Sequence, residues 1–143
     1  MTTARNANEQ IVVDFFIKLG VGDLNKLAEL LHVDMTWTVM NSDIPGSGRH
    51  EGRDHILSEF LAPVRGLFKP GDPKVHVDNL VSSDDCVMAE TRALGERADG
   101  RQYNNRYAWA FELRDGKIKN VREYMDSYYV VRFFDLLAPK QGA

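Results

Sequence analysis

Two Asp-Gly pairs, Asp99-Gly100 and Asp115-Gly116, constrain this chain more than any other feature. Each lies between runs of alternating side chains, the strongest short-range signal for a β-hairpin, because a tight hairpin turn needs residues that tolerate positive φ. The run between them places Tyr103, Tyr107, Trp109, Phe111 and Leu113 on one parity and Arg106, Ala108, Ala110 and Glu112 on the other. Such a strand covers its large-residue face and leaves the other partly exposed or at an interface. A closing strand runs from the second turn toward Tyr129, with one carboxylate, Asp126, near its end. Residues 75–81 and 86–94 read as two earlier strands about the turn Ser82-Ser83-Asp84-Asp85, so the C-terminal half is a meander of about four strands.

The N-terminal half has a different period. Ile11, Val12, Phe15, Phe16 and Leu19 form one wide face of an amphipathic helix over residues 8–19. Gly20 and Gly22 end it, and Asp23 caps a second helix through Leu31 with Leu24, Leu27, Leu30 and Leu31 as its stripe. Residues 35–40 (MTWTVM) read as a strand, 41–52 as a Gly/Ser/Pro-rich loop, and a third helix opens at Asp54, carries Ile56, Leu57, Phe60 and Leu61 inward and ends near Pro63. Helices segregated from a run of antiparallel strands define an α+β fold, in which a curved antiparallel sheet wraps over about three helices. The space left beneath it is cone-shaped and suits an apolar ligand. No linker or repeat divides the chain, so residues 1–143 read as a single domain.

Composition narrows the partners. A net charge of -3 argues against nucleic acid, and no apolar run approaches the roughly 20 residues that span a bilayer. The opening MTTARNANEQ lacks a signal-peptide core and Cys86 is alone, from which a cytoplasmic location is expected. His32, His50, His55 and His76 lack ligand spacing, and no phosphate loop or dinucleotide fingerprint occurs, so neither metal nor cofactor is expected.

The closing hairpin, YAWAF followed by DGKIKNVREYMD, resembles the last strands of the nuclear-transport-factor-like superfamily, which includes ketosteroid isomerases, limonene-type epoxide hydrolases, scytalone dehydratase and SnoaL-type polyketide cyclases. GDLNKLAELLHVDMTW and GRHEGRDHILSEFL are similar to its second helix, first strand and third helix, so the resemblance runs from about Asn8 to Tyr129. It implies a cone fold and, since many chemistries share that fold, leaves the reaction open. At the isomerase positions the base falls at Val39, the helix tyrosine at Phe15 and the second acid near Tyr107 or Ala108. Of the epoxide hydrolase set only Asp126 matches, with Ala93 and Thr91 in place of the other aspartate and the arginine, and Trp37 and Val39 in place of the water-holding pair. Polyketide cyclases carry a proton-accepting aspartate where Asp126 stands.

The resemblance thus makes Asp126 the candidate proton-transfer group, with Tyr124 orienting it or donating to a substrate oxygen. Trp37, Tyr107, Trp109, Phe15, Arg122 and Tyr128 are the candidate substrate-binding residues. On this reading Arg122, Tyr124, Asp126 and Tyr128 share the inner face, while Glu90, Arg92, Val121, Glu123 and Met125 lie outside and support a homodimer. The function expected is acid/base isomerisation or cyclisation of an apolar carbonyl-bearing molecule. A non-catalytic ligand-binding or dimerisation module and an epoxide hydrolase remain as alternatives. The apolar tail at residues 130–137 is expected to pack over the cone or onto a partner subunit.

Overall fold

A computed structural model describes residues 2–137; the two ends of the expected 1–143 domain lie outside the described residues. The helix α1 (Ala7–Val21) opens at Asn6, whose side chain accepts from the Glu9 amide, and closes at Gly22, which takes the left-handed conformation that glycine enters without a Cβ clash. Glu9 is 1% exposed, and its carboxylate accepts from Arg5, Asn6 and Ser82. These donors, led by the Ser82 hydroxyl, hold its pKa below the usual carboxylate value against the cost of burial. They also tie the start of α1 to the sheet.

The short helix α2 (Leu24–Ala28) is capped by Asp23 but ends sooner than its leucine stripe suggests. Glu29 and Leu30 form a turn and Leu31 is already a strand residue, since β1 spans Leu31–Val39. The loop that follows contains a short strand, β2 (Gly48–Glu51), paired antiparallel to β1 at the sheet edge. Its sequence, GRHE, carries no apolar alternation to reveal it. Three helical pieces then run on: α3 (Arg53–His55), a π-helical turn (Ile56–Leu61) and α4 (Ala62–Arg65). Pro63 therefore lies near the end of this helical segment, two residues before its last. It stands in the first turn of α4, where its missing N–H costs least, directly after the wider π turn.

The remaining strands are β3 (Lys74–Ser83), β4 (Cys86–Glu96), β5 (Gln102–Arg114) and β6 (Lys117–Met125), followed by a helix, α5 (Ser127–Phe133). The six-stranded sheet has the order β2-β1-β6-β5-β4-β3. All pairs are antiparallel except β1 with β6, which runs parallel and joins the two halves of the chain. The sheet is curved and unclosed, and α1 lies across its inner face, giving the α+β cone architecture.

That inner face is filled by rings. Phe15 stands 5.1 Å from Phe111, 5.6 Å from Trp37 and 6.2 Å from Trp109, centroid to centroid, mostly edge-on. Pairs of this kind add about 0.5–1.5 kcal/mol each beyond the area they bury. A second cluster, Phe68, Ala93, Tyr103 and Phe133, forms where α5 crosses the end of the sheet. Arg97 and Arg101 each donate to the Phe133 carbonyl at 2.8 Å, placing two cations at the C-terminus of α5, where the helix dipole favours them.

β6 contains the feature that most changes the site. Glu112 pairs with Asn120, but Leu113 pairs with Ile118, so one residue is extra and the strand bulges. Ile118 and Val121, three apart, are both buried at 1% or less. Simple alternation from Ile118 would carry Asp126 to the inside. The bulge inverts the phase, so Val121, Glu123 and Met125 face inward while Arg122 and Tyr124 face outward.

Candidate active site

The inverted phase disperses the residues expected to work with Asp126. Strand β6 stops at Met125, and the exposed Asp126 is the N-cap of α5, its carboxylate accepting from the Tyr129 amide at 3.0 Å. Tyr124 is 40% exposed on the outer sheet face. Arg122 lies on that face too and donates to Glu112 at 3.2 Å. Tyr128, on α5 instead of a strand, is 64% exposed, with Arg132 over its ring. Four residues expected to share an inner face therefore lie outside it.

Phe15, Trp37, Tyr107 and Trp109 do come together within the cone. Phe15 is fully enclosed as a packing residue. Trp109 donates its indole N–H to the Thr91 hydroxyl at 2.9 Å, which leaves that donor unavailable to a ligand. Trp37 donates its own to Oε1 of Glu123 at 2.8 Å.

Glu123 is the acid that the cone contains. It was expected on the outer face, with Val121 and Met125, and all three are on the inner one. Opposite it across the strands stands Trp109, and Tyr107 is opposite Met125. Glu123 and Tyr107 are thus diagonal neighbours on one face, a spacing of roughly 7–8 Å between backbones that long side chains can bridge. Part of Glu123 remains accessible, as does part of Tyr107, Met125, Phe60 and Asn41. Phe60 packs 5.6 Å from Trp37, and Asn41 donates to the Met125 sulfur, so these residues form a rim. Burial pushes the Glu123 carboxyl up to about 7, with the Trp37 N–H bond pulling the other way. The sequence did hold a trace of this: Val121, Glu123 and Met125 set a carboxylate between apolar residues at period two.

Above the rim lies a polar cluster on β5. Tyr103 and Tyr107 share a hydrogen bond of 2.5 Å between their hydroxyls, and Asn105 donates to Tyr103 at 3.0 Å. Burial raises Tyr103 to about 12 and Tyr107 well above its ordinary value, so both stay protonated at neutral pH. A shallow hollow on the outer sheet, about 220 Å³, is separate and is lined by Asn79, Leu80, Val81, Met88, Ala89, Glu90 and Ala108. Among the described residues no group of three His, Cys, Asp or Glu could hold a metal ion, and no helix is long and apolar enough to cross a membrane.

A curved six-stranded sheet over helices, with an acid inside its mouth, defines a cone-fold protein of the nuclear-transport-factor-like superfamily. Within it the chain belongs to the SnoaL-like domain family, whose pattern matches residues 12–121. It is similar to Bal32a from a soil-derived mobile gene cassette, at 25% identity and a TM-score of 0.77 over 89% of this chain and 95% of that one. TerC, crystallised with polyporic acid, superposes with a TM-score of 0.79 at 17% identity, over 91% of this chain and 99% of that one. An NTF2-like protein from Burkholderia pseudomallei K96243 gives 0.78 at 17% identity, over 90% and 97%. No curated protein matches the chain.

Proposed function

We propose that this chain is a cofactor-independent acid–base catalyst acting on an apolar, carbonyl-bearing small molecule, and that Glu123 moves the proton. The observation that carries the reading is a single one: the carboxyl of a half-buried glutamate lies among the rings of the cone, anchored by the Trp37 indole N–H. A carboxyl near 7 is about half ionised at neutral pH, the condition under which a general base is both present and strong. Its carboxylate takes a proton from the carbon beside the carbonyl. The C–H electron pair becomes the enolate double bond, and the charge passes to the carbonyl oxygen. Where the enolate is conjugated to a further double bond, return of the proton to its far carbon completes an isomerisation; where the enolate carbon attacks a second carbonyl of the same molecule, the C=O π pair moves to its oxygen, which takes the proton from Glu123 and completes a cyclisation. That TerC was crystallised with polyporic acid supports a small organic ligand for this fold.

The test uses 2-acetylnaphthalene in deuterium oxide. The protein is expected to exchange the methyl protons of the ketone, with a rate rising through pH 7, and Glu123→Gln to slow exchange at least 100-fold while Asp126→Asn leaves it near the parent rate. Equal exchange by parent and Glu123→Gln would defeat the reading. The filled ring core favours one other reading, a module that binds without reacting. Saturable binding of the ketone with no exchange would select it. The epoxide hydrolase alternative loses support, because Asp126 caps a helix outside the cone and Thr91 is engaged by Trp109.

A further inference from the structure

The Tyr103–Tyr107 pair has a direction that the positions of its oxygens alone do not reveal. Asn105 sets it. The backbone N–H of Arg106 donates to Oδ1 of Asn105 at 2.8 Å, so the other side-chain atom must be the amide nitrogen. That nitrogen has two hydrogens, and both are placed: one goes to the Tyr103 hydroxyl at 3.0 Å, the other to the Asp126 carbonyl at 3.3 Å. Tyr103 therefore accepts from Asn105. Among the described residues its other hydrogen-bond partner is the Tyr107 hydroxyl. If Tyr107 donated to Tyr103, the buried Tyr103 would hold a proton with no acceptor, an unpaired polar group that folded interiors avoid. The chain of donors is thus Asn105 to Tyr103 to Tyr107, and the Tyr107 proton is left over.

We propose that the Tyr107 hydroxyl is a ligand-oxygen site that donates one hydrogen bond and accepts none from the ligand, with Tyr103 and Asn105 as its positioning residues. Resting on the reading of Glu123 as the base, it deepens that reading by naming the oxygen's partner. The ligand class that fits is one presenting an acceptor only, a ketone or its enolate. An alcohol in the same place would have to find another acceptor for its own proton. Tyr107 shares the inner face with Glu123 and is partly accessible, whereas both indole donors of the cone are already engaged. Donors in a row polarise each other, so Tyr103 strengthens the bond that Tyr107 gives.

The probe is again 2-acetylnaphthalene, compared with 2-isopropenylnaphthalene, which replaces the carbonyl oxygen by a methylene group. The parent protein is expected to prefer the ketone about 10-fold and to shift its infrared carbonyl band to lower frequency on binding. Tyr107→Phe is expected to abolish both the preference and the band shift. Tyr103→Phe is expected to keep the fold, lower the preference several-fold and reduce the band shift, a response that loss of packing alone would not produce. In the free protein, the Asn105 side-chain amide protons are expected to exchange slowly and to change frequency in Tyr103→Phe. A parent protein that shows no ketone preference or does not bind the ketone overturns the proposal, as does a Tyr107→Phe variant that keeps the band shift. If the preference depends on Tyr107 while exchange ignores Glu123, the proposed catalysis fails and this site stands. If exchange needs Glu123 but the preference survives Tyr107→Phe, this site alone fails.

Discussion

Glu123 gives the site a cost that shows up as pH-dependent stability. Below about pH 4.5 its carboxyl is protonated in both the folded and the unfolded chain. Between that point and about 7 the unfolded chain has released the proton and the folded chain keeps it. The folded state then binds more protons, so stability falls as pH rises through this window and levels off above it. Glu123→Gln keeps an acceptor for the Trp37 N–H without the buried charge. It is expected to be more stable than the parent at pH 8 by roughly 1–3 kcal/mol and equal at pH 4, measured by urea unfolding at the two pH values. A variant less stable than the parent at pH 8 would show that the acid is a structural pillar.

At the scale of elements, Asp126 serves as the cap of α5 and does not face the cone. Asp126→Ala removes the cap and is expected to cost about 0.5–2 kcal/mol, whereas Asp126→Asn, which caps as well, is expected to stay within a few tenths of the parent in thermal melts. Loss of stability in both would point to a need for the charge itself. The strands β3 to β5 and the helix α1 were legible because their periodicity is strong and their turns carry Asp-Gly or left-handed residues. The inner face of β6 was not. A bulge adds one residue to one strand without any composition signal, and at period two a single extra residue exchanges every inward side chain for its neighbour. The cone and its aromatic lining of Trp37, Tyr107 and Trp109 could be read from sequence, and its acid could not. The helix α5 was hidden for another reason: SYYVVRF is rich in the aromatic and β-branched residues that favour strands.

For the whole molecule, the outer sheet face is the surface left without a role. Val81 is 55% exposed and Met88 43%, and together they border the shallow apolar hollow beside Ala108. Burying such a patch against its own copy is the simplest way to cover it. We propose a homodimer through this face, built from β3, β4 and β5 and not from the β6 residues Val121, Glu123 and Met125. Sedimentation of the parent is expected to show a dimer at micromolar concentration, and Met88→Lys, which enters an isologous contact twice, a monomer with unchanged ketone exchange. A parent that sediments as a monomer at every concentration would exclude this arrangement.

The parallel pairing of β1 with β6 has a consequence in time. Trp37 and Glu123 are 86 positions apart in the chain, and no shorter loop can bring them together. During synthesis the helices and most of the meander can emerge and collapse first, yet the mouth of the cone stays unfinished until the last strand leaves the ribosome and inserts beside the first. A nascent chain therefore lacks the Trp37–Glu123 hydrogen bond until that strand is in place.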